Sequence, residues 1–301
     1  MARVLISEAV NAGLEPLGPS LETDLRPQLW SDRAALLAGI AGAAGLVVRN
    51  QTVVDEGLLA AAGSSLKVVG RLGAGLDNLD LAALRQRGVA VVHGGGLNAA
   101  AVAEYVIGAA LDLARRLSRS DRELRAGGWT RHSGLELGGR VFGVIGLGKT
   151  GAQAARLARG LGMEVIGHDP VSAAEVEGVR RRPLAEIIRT AFVLTLHVPL
   201  TAKTRGLIGA AELAAMPEGA ILINAARGGV VDEDALFEAL QSGHLGGAAL
   251  DVRVTEPPAA GDRFASLPSV LLTAHLAGMT QESQSAIAAH VLAGVRTAIE
   301  G

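Results

Sequence analysis

At 301 residues, 49% of them hydrophobic and 19% charged, the chain has the make-up of a globular protein with room for two domains. Its formal net charge of -2 lacks the basic excess that nucleic acid or an anionic membrane surface demands, so neither is expected as a partner. The absence of cysteine excludes disulfides, thiolate nucleophiles and cysteine-ligated zinc.

From Met1 to Ile6 the chain enters a short apolar strand without the charged start, long apolar core and small-residue cleavage site of a secretion signal, so a cytoplasmic protein is expected. The longest apolar stretch, around Ala99 to Leu113, carries Glu104 and Asp112 and falls short of the ~20 apolar residues that span a bilayer. Short β-branched runs at Val4 to Ile6, Leu46 to Val48, Lys67 to Val69 and Val89 to Val92 alternate with Ala/Leu-rich stretches, which predicts parallel strands covered by helices. A long helix is predicted from Asn98 to Arg116, then a polar, exposed arm from Ser118 to Gly139 containing Trp129. From Arg140 a second α/β series begins, with strands at Val141 to Ile145, Glu164 to Gly167, Phe192 to Leu196, Ala220 to Asn224, Gly247 to Leu250 and Val270 to Thr273. Six strands in this rhythm make a complete doubly wound sheet, so the expected fold class is α/β with two Rossmann-like doubly wound parallel-sheet domains. Ile287, Val291, Leu292, Val295 and Ile299 recur at helical spacing, and the tail is read as an amphipathic helix packing back on the first domain. That domain is then discontinuous: residues 1–97 with 281–301 would form one domain, and 98–280 the other, with interdomain helix and arm.

The strand Val141 to Ile145 runs into Gly146-Leu147-Gly148-Lys149-Thr150-Gly151 and an Ala-rich helix through Gly160. In that setting Gly146 permits a tight turn, Gly148 lets backbone approach a pyrophosphate, and Gly151 lets helix pack near strand. The diphosphate then meets the free N–H groups at the helix N-terminus, where Lys149 and Thr150 stand. The next strand ends in Gly167-His168-Asp169-Pro170, so a carboxylate lies about twenty residues beyond the turn, placed to accept both adenine-ribose hydroxyls. It would repel a 2′-phosphate, which favours NAD over NADP, with His168 partly offsetting the charge.

Four segments follow, each at the C-terminal end of a predicted strand, where open α/β sheets bind ligands. They are Leu196 to Thr201, Ile223 to Gly229, Leu250 to Pro258 and Thr273 to Gly278. Hydride transfer to a keto acid needs a proton donor for the carbonyl oxygen, a group that tunes it and a cation for the carboxylate; His275, Glu256 and Arg227 supply one of each. No histidine pair has metal-ligand spacing, so no metal is expected, and His93, His132, His244 and His290 default to structural or surface roles.

With these segments in order, with Gly70-Arg71-Leu72-Gly73-Ala74-Gly75-Leu76-Asp77-Asn78-Leu79-Asp80 in the first domain, and with Asn98 to Glu104 opening the interdomain helix, the sequence resembles the D-2-hydroxyacid dehydrogenase family, in its D-3-phosphoglycerate dehydrogenase-like branch. The likeness covers nearly the whole chain. It implies an NAD-dependent dehydrogenase in which His275 is general acid in reduction and general base in oxidation, Glu256 hydrogen-bonds its ring, and Arg227 binds the substrate carboxylate and polarises the C2 carbonyl. Asp251 would contact the nicotinamide side, and backbone N–H groups of Gly73, Ala74 and Gly75 would complete the carboxylate cradle. His197, Pro199, Thr204, Ala225, Ala226, Ala277 and Gly278, with Arg227 and His275, are carried over as further cofactor contacts. The interdomain helix and the arm around Trp129 resemble the family's dimer interface, so a homodimer is expected.

Two departures stand out. Ala274 replaces the proline that usually precedes the histidine, which should alter loop stiffness rather than chemistry. His93-Gly94-Gly95 stands where the family often has Asn-x-Pro, which bears on the identity of the substrate. Arg49 and Arg71 match arginine positions of phosphoglycerate dehydrogenases and suit an acid with a second anionic group, 3-phosphoglycerate-like or sulfolactate-like, unless they pair with Asp55 or Asp77. The alternatives are a general 2-keto acid reductase acting on glyoxylate or hydroxypyruvate, a non-catalytic NAD-sensing corepressor-type scaffold, and formate or phosphite oxidation on the same fold. Ending at Gly301, the chain leaves no room for an appended regulatory domain, so feedback by a bound amino acid is not expected.

Overall fold

The β-branched runs of the first third form strands flanked by helices on both faces. In the computed structural model, which describes residues 1–10, 13–172 and 174–301, they are β1 (Ala2–Ile6), β2 (Leu21–Leu25), β3 (Gly45–Val48), β4 (Val68–Arg71) and β5 (Ala90–His93). Between them lie α1 (Arg33–Ile40), α2 (Glu56–Ala62) and α3 (Leu81–Gln86). Each of these helices begins on an aspartate, Asp32, Asp55 or Asp80, whose carboxylate accepts the backbone N–H three residues on at 3.0, 2.9 and 2.9 Å. All five strands are parallel, in the order β2-β1-β3-β4-β5. The strand β2 was not among the expected ones. It is an edge strand with only Leu21 buried, tied by Asp24 to Arg3 at 2.9 Å and to Arg26 at 2.8 Å, so its apolar signal is weak.

The second series contributes α4 (Ala99–Arg115), α5 (Leu117–Arg125), β6 (Val141–Ile145), α6 (Lys149–Gly160), β7 (Glu164–His168), β8 (Arg180–Arg181), α7 (Leu184–Thr190) and β9 (Val193–Leu196). It continues through α8 (Ala210–Ala215), β10 (Ile221–Asn224), α9 (Glu233–Gln241), β11 (Gly247–Leu250) and β12 (Val270–Leu272). The sheet is parallel in the order β12-β11-β10-β9-β6-β7-β8. It has a seventh strand beyond the expected six, because the two-residue edge β8 consists of two exposed arginines and shows no apolar run. The first half of the expected polar arm is helical. In α5, ion pairs four residues apart, Arg119–Glu123 at 2.8 Å and Arg125–Asp121 at 2.9 Å, support two turns that bury nothing.

The final helix, α10 (Gln281–Glu300), is capped by the Thr280 hydroxyl, which accepts the Ser283 N–H at 3.1 Å. Its Ile287, Val291, Val295 and Ile299 join Val4, Val47 and Val68 in one core layer, and burying each such side chain contributes about 1.5–3 kcal/mol. The opposite sheet face buries Leu46, Val48 and Val69 under α1, α2 and α3. The chain accordingly forms two units, Met1–Asn98 with Met279–Gly301, and Ala99–Gly278. Among the described residues no helix is long and apolar enough to cross a membrane.

Candidate active site

The strand order of the second unit reverses between β6 and β9, and crevices for ligands open beyond the C-terminal ends of strands at such a point. Gly146 leaves β6 with φ +94° and packs on the chain leaving β9: a Cβ there would stand 2.3 Å from the His197 carbonyl oxygen. A Cβ on Gly151 would stand 1.9 Å from the Gly146 oxygen, whereas Gly148 faces open space. The turn is therefore closed to side chains on its inner side and bare at the N-terminus of α6, beside exposed Lys149 and half-buried Thr150. This cradle fits a dinucleotide diphosphate.

Asp169, at the end of β7, accepts the Leu147 N–H through Oδ2 at 2.9 Å and those of Val171 and Ser172 through Oδ1 at 2.9 and 2.8 Å. Burial raises its carboxyl, but these three N–H groups and the charge of Arg181 outweigh it and hold the group below its ordinary value. Of roughly four acceptor positions on a carboxylate, about one is left for a ribose hydroxyl. His168 directs Nδ1 to the Arg182 carbonyl at 3.2 Å. His197 is half-buried, bonds the Thr195 hydroxyl through Nε2 at 3.1 Å, and is pushed by burial down to about 4, so its ring is neutral. Thr204 donates to the Pro199 carbonyl at 2.6 Å, closing the turn after His197.

The chain between β11 and β12 and the turn after β12 carry Glu256 and His275, the expected proton-handling pair. His275 Nδ1 lies 2.8 Å from Glu256 Oε2, with the two side chains 45% and 35% exposed, so Nε2 is the nitrogen left for a reacting oxygen. The Glu256 carboxyl is raised by burial and lowered more strongly by the His275 hydrogen bond, the Arg253 N–H at 2.9 Å and the charges of His275 and Arg227; the net direction is down. His275 sits at φ +53°, a conformation few non-glycine residues adopt. Asp251 holds it there. Its carbonyl accepts the His275 N–H at 2.8 Å, and its carboxylate, 2% exposed, accepts Leu276 N–H at 2.8 Å, Ala277 N–H at 2.9 Å and the Thr273 hydroxyl at 2.6 Å. Thr273 in turn lies 2.7 Å from the Tyr105 hydroxyl, a phenol pushed up to about 12 by burial and by the Asp251 charge. Asp251 and Ala277 are thus buried partners, and Gly278 closes the unit.

Arg253 anchors the loop that carries Glu256. Its side chain, 11% exposed, pairs with Glu233 at 3.0 Å and with Asp262, and lies over the Phe264 ring at 4.8 Å. Burial lowers the guanidinium, but the two carboxylates outweigh it and raise it above its ordinary value. Gly228 touches this loop so closely that a Cβ would stand 2.0 Å from the Arg253 carbonyl carbon. The turn that presents Arg227 is braced by Asn224, which donates to the Arg227 carbonyl at 3.0 Å and accepts the Ala226 N–H at 3.1 Å, with Ala225 and Ala226 half-buried between.

In the first unit, buried Glu8 accepts the N–H groups of Arg49, Gln51 and Thr52 at 2.8, 3.2 and 2.9 Å and so shapes the loop after β3. The Arg49 guanidinium bonds Gln284 on α10 at 3.1 Å. Asp55 pairs with Arg33 and caps α2, so it is not the partner of Arg49 or Arg71. The Gly73 N–H donates to the Arg71 carbonyl at 2.8 Å, whereas those of Ala74 and Gly75 have no backbone acceptor among the described residues.

Residues 107–277 match the family model described as "D-isomer specific 2-hydroxyacid dehydrogenase, NAD binding domain". The chain belongs to the D-isomer-specific 2-hydroxyacid dehydrogenases. The second unit is thus the NAD-binding domain of a member of this NAD-dependent dehydrogenase family. An (S)-sulfolactate dehydrogenase of Chromohalobacter salexigens is 41% identical over 308 residues, covering 99% of each chain. A D-3-phosphoglycerate dehydrogenase of Archaeoglobus fulgidus is 42% identical over 244 residues, which are 79% of this chain but 46% of that relative, so the match spans under half of the longer protein. The crystal structure of a Thermus thermophilus protein superposes with a TM-score of 0.93 at 32% identity, covering 99% of this chain and 97% of that one.

Several residues of this candidate site were not singled out by sequence reasoning: Arg253, Thr273, Tyr105, Asn224 and Glu8. All but Asn224, which braces its own turn, act through a partner far along the chain, Tyr105 and Thr273 being 168 residues apart, and no local spacing marks such a pairing. For Arg253 the segment Asp251-Val252-Arg253 held a local hint, two charged residues within three positions of the end of a fully apolar strand.

Proposed function

We propose that this dehydrogenase moves a hydride between NAD(H) and C2 of a small 2-hydroxy or 2-keto acid, and that the acid carries a second anionic group, phosphate or sulfonate. The observation that carries the reaction type is the His275 Nδ1–Glu256 Oε2 contact at 2.8 Å. Gly146 to Gly151 and Asp169 would hold NADH, which would supply the hydride when bound. In reduction, His275 Nε2–H gives its proton to the C2 oxygen, and the imidazole that remains is taken back to imidazolium with help from the Glu256 charge. Arg227 binds the substrate carboxylate in a two-pronged manner and draws electron density from the adjacent carbonyl. Asp251 keeps the His275 turn in its strained conformation, so the ring does not have to reorganise during the proton transfer. In oxidation the same atoms act in reverse, with neutral His275 as base.

The second anionic group is supported by Arg71 and Arg49 and by the end-to-end match with a sulfolactate dehydrogenase. The bond from Arg49 to Gln284 favours the competing reading, a general reductase of glyoxylate or hydroxypyruvate, because it turns one of the two cations to a protein partner. A cytoplasmic homodimer completes the proposal: Trp129 is 78% exposed and Leu117 and Leu124 are each 55% exposed, an apolar set suited to a second copy.

The test is NADH oxidation by the purified protein with pyruvate, glyoxylate, hydroxypyruvate, 3-phosphohydroxypyruvate and 3-sulfopyruvate, repeated with His275→Ala. Turnover should be best with the phospho or sulfo acid and fall by about two to four orders of magnitude in the variant with NADH binding retained. Best turnover with a monoanionic acid refutes the second anion, and near-normal turnover in the variant refutes the role of His275.

A further inference from the structure

The strands β4 and β5 end side by side, with Arg71 and His93 in register at their last positions. Paired residues of adjacent parallel strands point to the same face, about 4.8 Å apart in backbone. The chains leaving them stay together, since the Gly94 N–H donates to the Gly73 carbonyl at 2.9 Å. Two-residue alternation puts Arg71 with Val69 and His93 with Val91, on the face covered by α1, α2 and α3. Arg49, one residue beyond Val48, falls on the other face and bonds Gln284 of α10.

Both side chains fold over glycines. A Cβ on Gly73 would stand 1.4 Å from Arg71 Nη1, and one on Gly95 would stand 2.7 Å from His93 Cε1. His93 Nδ1 is enclosed and has no hydrogen-bond partner among the described residues, whereas Nε2 is not among the enclosed unpartnered atoms. An orphaned buried N–H is rarer and dearer than an orphaned acceptor, so in the neutral ring the proton belongs on Nε2, the outer nitrogen. An Nε2–H donor therefore stands beside a guanidinium at the C-terminal edge of a parallel sheet, where this class of fold takes its ligands.

We propose that His93 is a specificity-determining residue, which with Arg71 receives the tetrahedral oxyanion, phosphoester or sulfonate, at the far end of the 2-keto acid. The idea rests on the doubly anionic substrate of the preceding section and changes the pair of residues responsible: His93 takes the place beside Arg71 that sequence reasoning assigns to Arg49. Either oxyanion presents three oxygens, enough to accept from both side chains at once.

The test measures kcat/KM for 3-phosphohydroxypyruvate, 3-sulfopyruvate and glyoxylate with NADH, in the wild type, His93→Ala and His93→Gln. In His93→Ala the preference for the better doubly anionic acid over glyoxylate falls by about ten-fold or more, mainly through KM, the size of one hydrogen bond to a charged group. His93→Gln, which restores an N–H donor, keeps most of that preference. Comparison of the two doubly anionic acids identifies phosphoester or sulfonate as the preferred group. An unchanged preference in His93→Ala, or equal losses in Ala and Gln, overturns the assignment of His93 alone. A wild type that prefers glyoxylate, or reduces none of the acids, overturns the reading of the substrate or of the activity beneath it, and this proposal with it.

Discussion

Replacing Glu256 by Gln preserves size and one acceptor while removing the charge next to His275, whose Nδ1 is 2.8 Å from the carboxylate oxygen. Two unit charges about 4 Å apart interact by roughly 1 kcal/mol at the dielectric of water and roughly 4 kcal/mol at an effective dielectric of 20. With the side chains 45% and 35% exposed, the lower part of that range applies, about 1–2 kcal/mol or about five- to thirty-fold. The sign follows from the direction of the Glu256 shift. Its carboxyl is held below the ordinary value, so the charge is present at all pH values above that range and is lost only on strong acidification. Across neutral pH the carboxylate favours the proton on His275, which reduction needs and oxidation does not. Glu256→Gln should therefore lower kcat/KM for keto-acid reduction at neutral pH about ten-fold, while oxidation at high pH loses less. The assay is a pair of pH profiles, one per direction, followed at the NADH absorbance. If both profiles of the variant superimpose on the wild type after scaling by one factor, the carboxylate acts only as a spacer and the electrostatic argument fails.

Arg253→Met leaves Glu233 and Asp262 facing each other without their cation at 19% and 14% exposure, so unfolding free energy should drop by about 2–4 kcal/mol; an unchanged thermal midpoint would show that the network contributes nothing to stability. Asp169→Asn should raise the ratio of NADPH to NADH efficiency at least about ten-fold, and an unchanged ratio would sink the assignment of this carboxylate to the ribose. His197 stays neutral in the folded chain down to about 4 but takes a proton near 6.5 when unfolded, so the unfolded state binds more protons between those values and stability falls as pH is lowered through them. The loss should approach at most about 3 kcal/mol, and His197→Gln should flatten it in denaturant titrations at successive pH values; an equal slope in the variant assigns the acid sensitivity elsewhere.

The parallel sheets, the Gly146 to Gly151 turn and the strand-end positions of Arg227, Glu256 and His275 were legible in the sequence for a common reason. Fully buried strands read as unbroken apolar runs, as in Val193–Leu196 and Ile221–Asn224, and site residues of this architecture follow such runs directly. Elements that bury little left no such signal. The strand Arg180–Arg181 has no apolar residue, the helix Leu117–Arg125 draws on ion pairs rather than a buried face, and the edge strand Leu21–Leu25 buries a single leucine.

Within the candidate site, the sequence by itself determined which groups are present: glycines in the turn after one strand, a carboxylate after the next, and a histidine, a glutamate and an arginine beyond later strand ends. Only the tertiary structure decided how these groups are held. The strained turn of His275 depends on the buried Asp251 carboxylate, which is itself bonded by Thr273, and Glu256 depends on an arginine fixed by Glu233 and Asp262. The faces to which Arg49 and Arg71 turn, and with them the candidacy of His93, follow from strand register and from the packing of α10. Such arrangements join residues from a few to more than two hundred positions apart through hydrogen bonds with precise direction and no periodicity, and a linear pattern carries no trace of them until the chain has folded.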